Sequence, residues 1–210
     1  MSHTFKGYEV VSDERIGEGG FLRLRRVRLK VRRDDGTLSK EGLYDFVERP
    51  MGADAVVLTL WHRSSEGIEV LLRHAPRVPL WFRSPKVGAR HTEVVAGVLE
   101  TGEDDWAAIQ KRAADEAHEE AGLRIDPSTV ERLGPATYPT AGMCPELFHF
   151  VAAEVLDRAA AETPPTDGSP FEEGAELEWL LLDEAIGRCE TGEMVDLKTE
   201  LALRRLRAKL

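Results

Sequence analysis

Cysteine is nearly absent from this chain, which carries only Cys144 and Cys189 in 210 residues. Two thiols cannot build the disulfide framework of a small secreted domain, so a reducing cytoplasm is the expected compartment. Long apolar runs are missing too. Nothing approaches the ~20 residues needed to cross a bilayer, and no signal-peptide pattern is visible. Positive charge is in deficit, with 28 Lys and Arg against 38 Asp and Glu and a formal net charge of −10. General nucleic-acid binders and anionic-membrane binders present basic surfaces, so neither partner is expected. An anionic small molecule remains open, provided metal or local arginines reverse the field. At 210 residues and 42% hydrophobic content, the chain can bury one good core and a smaller appendage.

What is present divides near residue 50, into an arm (1–50) and a main domain (51–210). In the arm, Phe21 to Arg33 alternates Leu22 and Leu24 against Arg23 and Arg25, shifts phase at Arg25-Arg26, and resumes with Val27, Leu29 and Val31. That predicts a strand with a bulge, closed by the turn Asp34-Asp35-Gly36-Thr37 and returned by Leu43 to Val47. So small an arm cannot build its own core, and should pack on the main domain or on a second subunit. Its arginines read as solvated or salt-bridged surface. Gly17-Glu18-Gly19-Gly20 reads as a turn, too loose for a phosphate loop.

In the main domain, Ala55 to Leu60 and Ile68 to Leu72 are apolar runs joined by Ser64-Ser65-Glu66-Gly67, which predicts two neighbouring buried strands. Arg73 to His91 holds Pro76, Pro79 and Pro85 among Arg73, Arg77, Arg83, Lys86 and Arg90, and reads as a loop. Its basic density suits a phosphate clamp as well as an ordinary solvated loop. Trp81 and Phe82 are expected as buried anchors of that loop, with stacking on a base as the alternative. Ala159 to Phe171 reads as a mobile loop, Leu177 to Leu182 as a largely apolar strand, and Asp196 as the N-cap of a closing helix through Leu197, Leu201 and Leu206.

The stretch Ala96 to Leu123 organises the rest. A glycine-bearing turn precedes a helix that ends in Glu116, Glu119 and Glu120 and stops at Gly122. These positions, i, i+3 and i+4, fall within a sector roughly 100° wide, where like charges repel near an unfavourable helix C-terminus. A hard divalent cation such as Mg²⁺, which prefers carboxylate oxygen, would compensate. In an acidic protein the same trio also reads as a solvated helix face.

Gly97, five residues, Glu103, then Glu116-Ala117-His118-Glu119-Glu120-Ala121-Gly122-Leu123 resembles the Nudix box, G-x5-E-x7-R-E-U-x-E-E-x-G-U. There are two departures. Eleven residues, not seven, separate Glu103 from the box arginine position, and that position is Asp115. Four extra residues turn a helix by about 400°, so the glutamates stay nearly in phase, about 6 Å further along. Arg112, one turn earlier, is a candidate stand-in for the arginine that orients the glutamates in the family. Glu93-Val94-Val95-Ala96-Gly97 is similar to the E-x-x-A-G lead-in of the ADP-ribose pyrophosphatase branch. Arg73 to Arg77 is similar to its R-Q-Y-R segment, and Tyr138 to Glu146 to its Y-x-S-P-G-x-S-x-E loop.

The resemblance implies an α/β Nudix fold, an α/β/α sandwich around a mixed sheet, with an N-terminal antiparallel β arm that mediates a homodimer. It implies a metal site of Glu116, Glu119, Glu120 and the Ala96 carbonyl holding Mg²⁺, or Mn²⁺ in its place. Arg73, Arg77, Glu93, Gly97, Glu103 and Glu146 would bind substrate. Glu119, Glu120 and Glu173 would be catalytic, with Glu173 as general base. Simple solvent exposure of Glu172 and Glu173 is the alternative, and His118 reads as surface. The implied reaction is hydrolysis of the diphosphate in ADP-ribose or a related nucleoside diphosphate sugar. A dinucleoside polyphosphate or coenzyme substrate, or a non-hydrolysing nucleotide-sugar sensor, remains open.

Overall fold

Val56, Leu58 and Leu60 alternate with Val57 and Thr59 along one strand, and all five are fully buried. A strand buried on both faces must have layers on both sides. In the computed structural model, which describes residues 4–17, 20–50, 52, 54–83, 90–165 and 174–210, this strand is β4 (Ala55–Arg63), at the centre of a seven-stranded sheet. The order is β10 (Glu176–Leu181), β5 (Ile68–Pro76), β4, β9 (Phe148–Glu154), β8 (Glu131–Arg132). Two short strands join it, with β6 (Arg90–Glu93) on β5 and β7 (Val95–Val98) on β4. β4 and β9 run parallel, while the other pairs are antiparallel, so the sheet is mixed.

The two faces carry separate cores. Val56, Leu58, Leu60 and Leu71 pack against Ile109, Ala113, Ala117 and Ala121 of helix α2 (Trp106–Ala121). Val57, Val70 and Leu72 pack against Ala185 and Ile186 of α3 (Leu182–Thr191) and Ala202, Leu203 and Leu206 of α4 (Leu197–Lys209). Each large aliphatic so buried contributes roughly 1.5–3 kcal/mol. The result is an α/β/α sandwich.

This unit comprises Asp54–Pro139 with Leu147–Leu210, and a second compact unit comprises Met1–Ala53 with Thr140–Glu146. The second unit is a three-stranded antiparallel sheet of β1 (Phe5–Ile16), β2 (Arg23–Arg33) and β3 (Gly42–Glu48), in that order. Its arginines are paired. Arg25 grips Asp13 at 2.9 and 2.7 Å, and Arg26 grips Asp45 at 2.9 and 2.7 Å.

Three sequence expectations need correction. The bulge predicted at Arg25-Arg26 is not there, because β2 runs in continuous register from Arg25↔Phe46 to Arg26↔Asp45. The irregularities lie on the facing strand, between Phe5 and Gly7 and between Val10 and Ser12. The loop predicted over Arg73 to His91 is ordered at both ends: Arg73 to Pro76 completes β5, Val78–Arg83 forms helix α1, and Arg90 opens β6. Pro79 sits in the first turn of α1, where a missing N–H costs nothing. Trp81 and Phe82, expected as buried anchors, are 51% and 79% exposed. Residues 84–89, with Pro85 and Lys86, lie outside the described residues, as do Glu18 and Gly19 of the predicted turn.

Candidate active site

Helix α2 begins where the Asp105 side chain accepts a hydrogen bond from Ala108 N at 2.7 Å and ends at Gly122, whose φ of 67° is the left-handed cap conformation. Its buried stripe is three alanines and Ile109, small side chains that let the helix lie close on the sheet. Glu116 and Glu120 each immediately precede a stripe alanine, Ala117 and Ala121, and both reach the backbone of β7.

There the two carboxylates meet backbone. A Cβ added to Gly97 would fall on the Glu116 carboxylate, so glycine is what admits that side chain. Ala96 N donates to Glu120 Oε2 at 3.2 Å. Arg73, 4% exposed on β5, reaches Glu120 Oε1 at 3.0 Å. Glu119 is exposed, and among the described residues it takes part in no ion pair. The structure thus brings Glu116, Glu120, Ala96, Gly97 and Arg73 together. The donor set is entirely oxygen, two carboxylates with one guanidinium against them, and the glycine cradle leaves the Glu116 head at the β7 backbone. This fits a hard divalent cation.

Glu103 is held elsewhere. Arg112 Nε and Nη2 donate to it at 3.1 and 3.0 Å, and Glu100 N donates to it at 2.8 Å. Burial works against its ionisation, but the Arg112 and Glu100 hydrogen bonds hold its carboxyl below the ordinary value. Asp115, at the position of the box arginine, pairs with Lys111 at 2.5 Å on the exposed side of the helix.

A second charged cluster lies at β6. Glu93, 2% exposed, forms close ion pairs with Arg77 and with Lys198 of α4. Lys198 also reaches Asp196 Oδ2 at 3.0 Å, and His91 Nε2 stands 3.3 Å from Asp196 Oδ1. Asp196 caps α4 through Thr199 N at 3.0 Å, while Thr199 Oγ1 accepts from Val94 N at 2.9 Å. Ligand atoms of His91, Glu93 and Asp196 lie within 4.8 Å of one another. Two resident cations already neutralise Glu93 there, so this group has less need of a metal than the α2 carboxylates. Sequence reasoning found Arg77, Glu93 and the Asp196 cap, but not Lys198 or His91. Glu93 and Lys198 are 105 positions apart, and no local pattern links them.

Glu146 belongs to the other unit, where it pairs with Arg49. Glu173, with Glu172, lies outside the described residues.

No family profile matches the chain. It is 30% identical over 196 residues to a GDP-mannose pyrophosphatase of Citrobacter koseri, an alignment covering 92% of each protein. The crystal structure of an ADP compounds hydrolase superposes with a TM-score of 0.70 at 15% identity, over 100% of this chain and 97% of that one. A C. elegans Ap4A hydrolase in a binary complex is 20% identical, with a TM-score of 0.48 over 75% of this chain and 96% of its own. The identity to the first and the fold shared with the second place the chain in the Nudix hydrolases. Within that family it is a pyrophosphohydrolase of the ADP-ribose pyrophosphatase-like branch.

Proposed function

We propose that this chain hydrolyses the diphosphate bond of a nucleoside diphosphate sugar, ADP-ribose or a close relative, to a nucleoside monophosphate and a sugar phosphate. The observation that carries this is the convergence of Glu116 and Glu120 on the Ala96-Gly97 backbone beside Arg73. The pyrophosphatase named among its relatives acts on GDP-mannose, and the structural neighbour on ADP compounds, which supports the same bond class.

Glu116, Glu119, Glu120 and the Ala96 carbonyl would hold Mg²⁺, or Mn²⁺. Such an ion supplies positive charge against diphosphate oxygens as charge builds during displacement at phosphorus. Arg73 fixes the Glu120 head on one side while Ala96 N fixes it on the other. Arg77, 44% exposed, offers guanidinium donors to a phosphate while Glu93 anchors it from beneath. Glu173 is assigned the general base by resemblance, taking a proton from the attacking water.

A homodimer through the arm is part of the same reading. Among the described residues of the arm Val27 is the one buried apolar side chain, while Tyr8, Val10 and Tyr44 are 61%, 60% and 49% exposed. Free Cys144 and Cys189 agree with a cytoplasmic setting, and among the described residues no helix is long and apolar enough to cross a membrane.

The test is incubation of the purified protein with ADP-ribose, GDP-mannose and a panel of nucleotide sugars, with Mg²⁺ and with a chelator, resolving products by anion-exchange chromatography. Metal-dependent nucleoside monophosphate is the expected result. A blank across the panel would sink the proposal.

A further inference from the structure

We propose that Trp81 is the platform on which the substrate's nucleobase stacks, so that helix α1 holds the nucleoside end of the molecule while Arg77 and the α2 carboxylates hold its diphosphate. This rests on the reading of the site as one that binds a nucleoside diphosphate.

Helix α1 consists of Val78, Pro79, Leu80, Trp81, Phe82 and Arg83, and none of the six is buried. Five consecutive apolar side chains that served packing alone would be covered by a core. Val78, Trp81 and Phe82 are instead exposed together. A contiguous apolar surface of this kind marks a place where something binds.

Its position says what binds. Along β5, Arg73 reaches the Glu120 carboxylate at 3.0 Å, and four residues on, Arg77 is held by Glu93. Extended chain of that length spans about 13 Å. The Arg77 carbonyl then accepts from Leu80 N at 2.9 Å and from Trp81 N at 3.4 Å, which closes the first turn of α1. Trp81 therefore stands one helical pitch, about 5 Å, beyond the residue whose half-exposed guanidinium meets a phosphate. A carboxylate-and-arginine site, a second arginine and an aromatic ring follow one another between residues 73 and 81. A nucleoside diphosphate carries its groups in the matching order: phosphate, phosphate, ring.

The chemistry of α1 selects the base over the sugar. A sugar turns hydroxyls toward its site, and each one left without a partner costs binding. Arg83 is the one polar side chain of α1, and it only donates. A base presents two flat faces that carry no hydrogen-bonding group, and stacking asks only for another flat ring. Indole supplies a large one. Phe82, one position further, points about 100° away around the helix and does not share that face.

The experiment compares two probes on the full chain in Mg²⁺ by isothermal titration calorimetry. One is α,β-methylene-ADP, whose bridging carbon resists hydrolysis; the other is methylenediphosphonate, the same diphosphate without a nucleoside. Circular dichroism confirms that each variant is folded. Trp81→Ala should weaken the nucleotide probe by about 10-fold or more and leave methylenediphosphonate unchanged. Trp81→Phe, which keeps a ring, should retain most of the affinity, and Phe82→Ala should bind as the wild type does. Wild-type affinity for the nucleotide probe in Trp81→Ala would overturn the assignment, and a fall in mass by sedimentation velocity alongside it would give this face to a second copy of the chain. An equal loss of both probes would mean that Trp81 only props Arg77, and an equal loss in Phe82→Ala that no single ring is the platform; either overturns it. A wild type that binds neither probe would instead overturn the diphosphate reading, and this proposal with it.

Discussion

Two glycines near the glutamates answer to different constraints. At Gly97 the obstacle to a side chain is the Glu116 side chain, and the backbone itself is unstrained. Gly97→Ala should therefore leave the melting temperature nearly unchanged while displacing Glu116. Turnover should fall by about 10-fold or more, and an alanine variant of full activity would show that Glu116 is not needed where it stands. At Gly122 φ is 67° and an added Cβ would fall on the Glu162 carbonyl, which is backbone and cannot swing aside. Gly122→Ala should cost at least the ~1–2 kcal/mol of a left-handed L-residue, read as a lower midpoint in urea unfolding. A neutral result would mean that the segment at Glu162 shifts freely.

At the scale of the element, α4 is held at its N-terminus by a single carboxylate. Burial opposes ionisation of Asp196, yet the His91 hydrogen bond, the Lys198 charge and the Thr199 hydrogen bonds outweigh it and hold its pKa far below the usual range. A depressed carboxylate stabilises the fold above its unfolded pKa of about 3.9 and loses that contribution as pH falls through the folded value. Asp196→Asn keeps a capping side chain but not the charge. The wild type should be the more stable at neutral pH, and its advantage should shrink below about pH 4; a constant difference down to acid would refute this. The cap was legible in the sequence because Asp196 precedes an apolar period, and α2 because its glutamates and terminal glycine keep helical spacing. α1 was not, since three prolines masked a helix that tolerates Pro79 in its first turn. β1 was missed as well: Phe5 to Ile16 mixes polar and apolar residues, and its two register shifts break the alternation. Arg112 could be suspected from helical phase alone. Its grip on Glu103, and that of Arg73 on Glu120, arise only in the folded chain.

Across the whole molecule, the mixed sheet and its two helical layers follow from β4, whose apolar run, broken only by Thr59, demands burial on both faces. The arm is a different case. Its Tyr8, Val10 and Tyr44 lie on one sheet face with Val27, Leu29 and Val31, since Tyr8 stands opposite Val31, Val10 opposite Leu29 and Val27 opposite Tyr44. Such an apolar face calls for a cover. With a second copy as that cover, Val10→Glu should convert a dimer to a monomer in sedimentation velocity, and a wild type already monomeric at micromolar concentration would dismiss the arrangement.

β4 lies parallel to β9, with Ala55 opposite Phe148, so the sheet's central pairing joins residues 93 apart in sequence. During synthesis β4 can form its hairpin with β5 early, but its other edge stays bare until β9 emerges. At about 5–20 residues per second that interval lasts roughly 5–20 s. For that time the most hydrophobic strand of the protein is an open template for a neighbouring nascent chain. Ribosome traffic and chaperone supply, more than the stability of the finished sandwich, should then decide how much of this protein is recovered in solution.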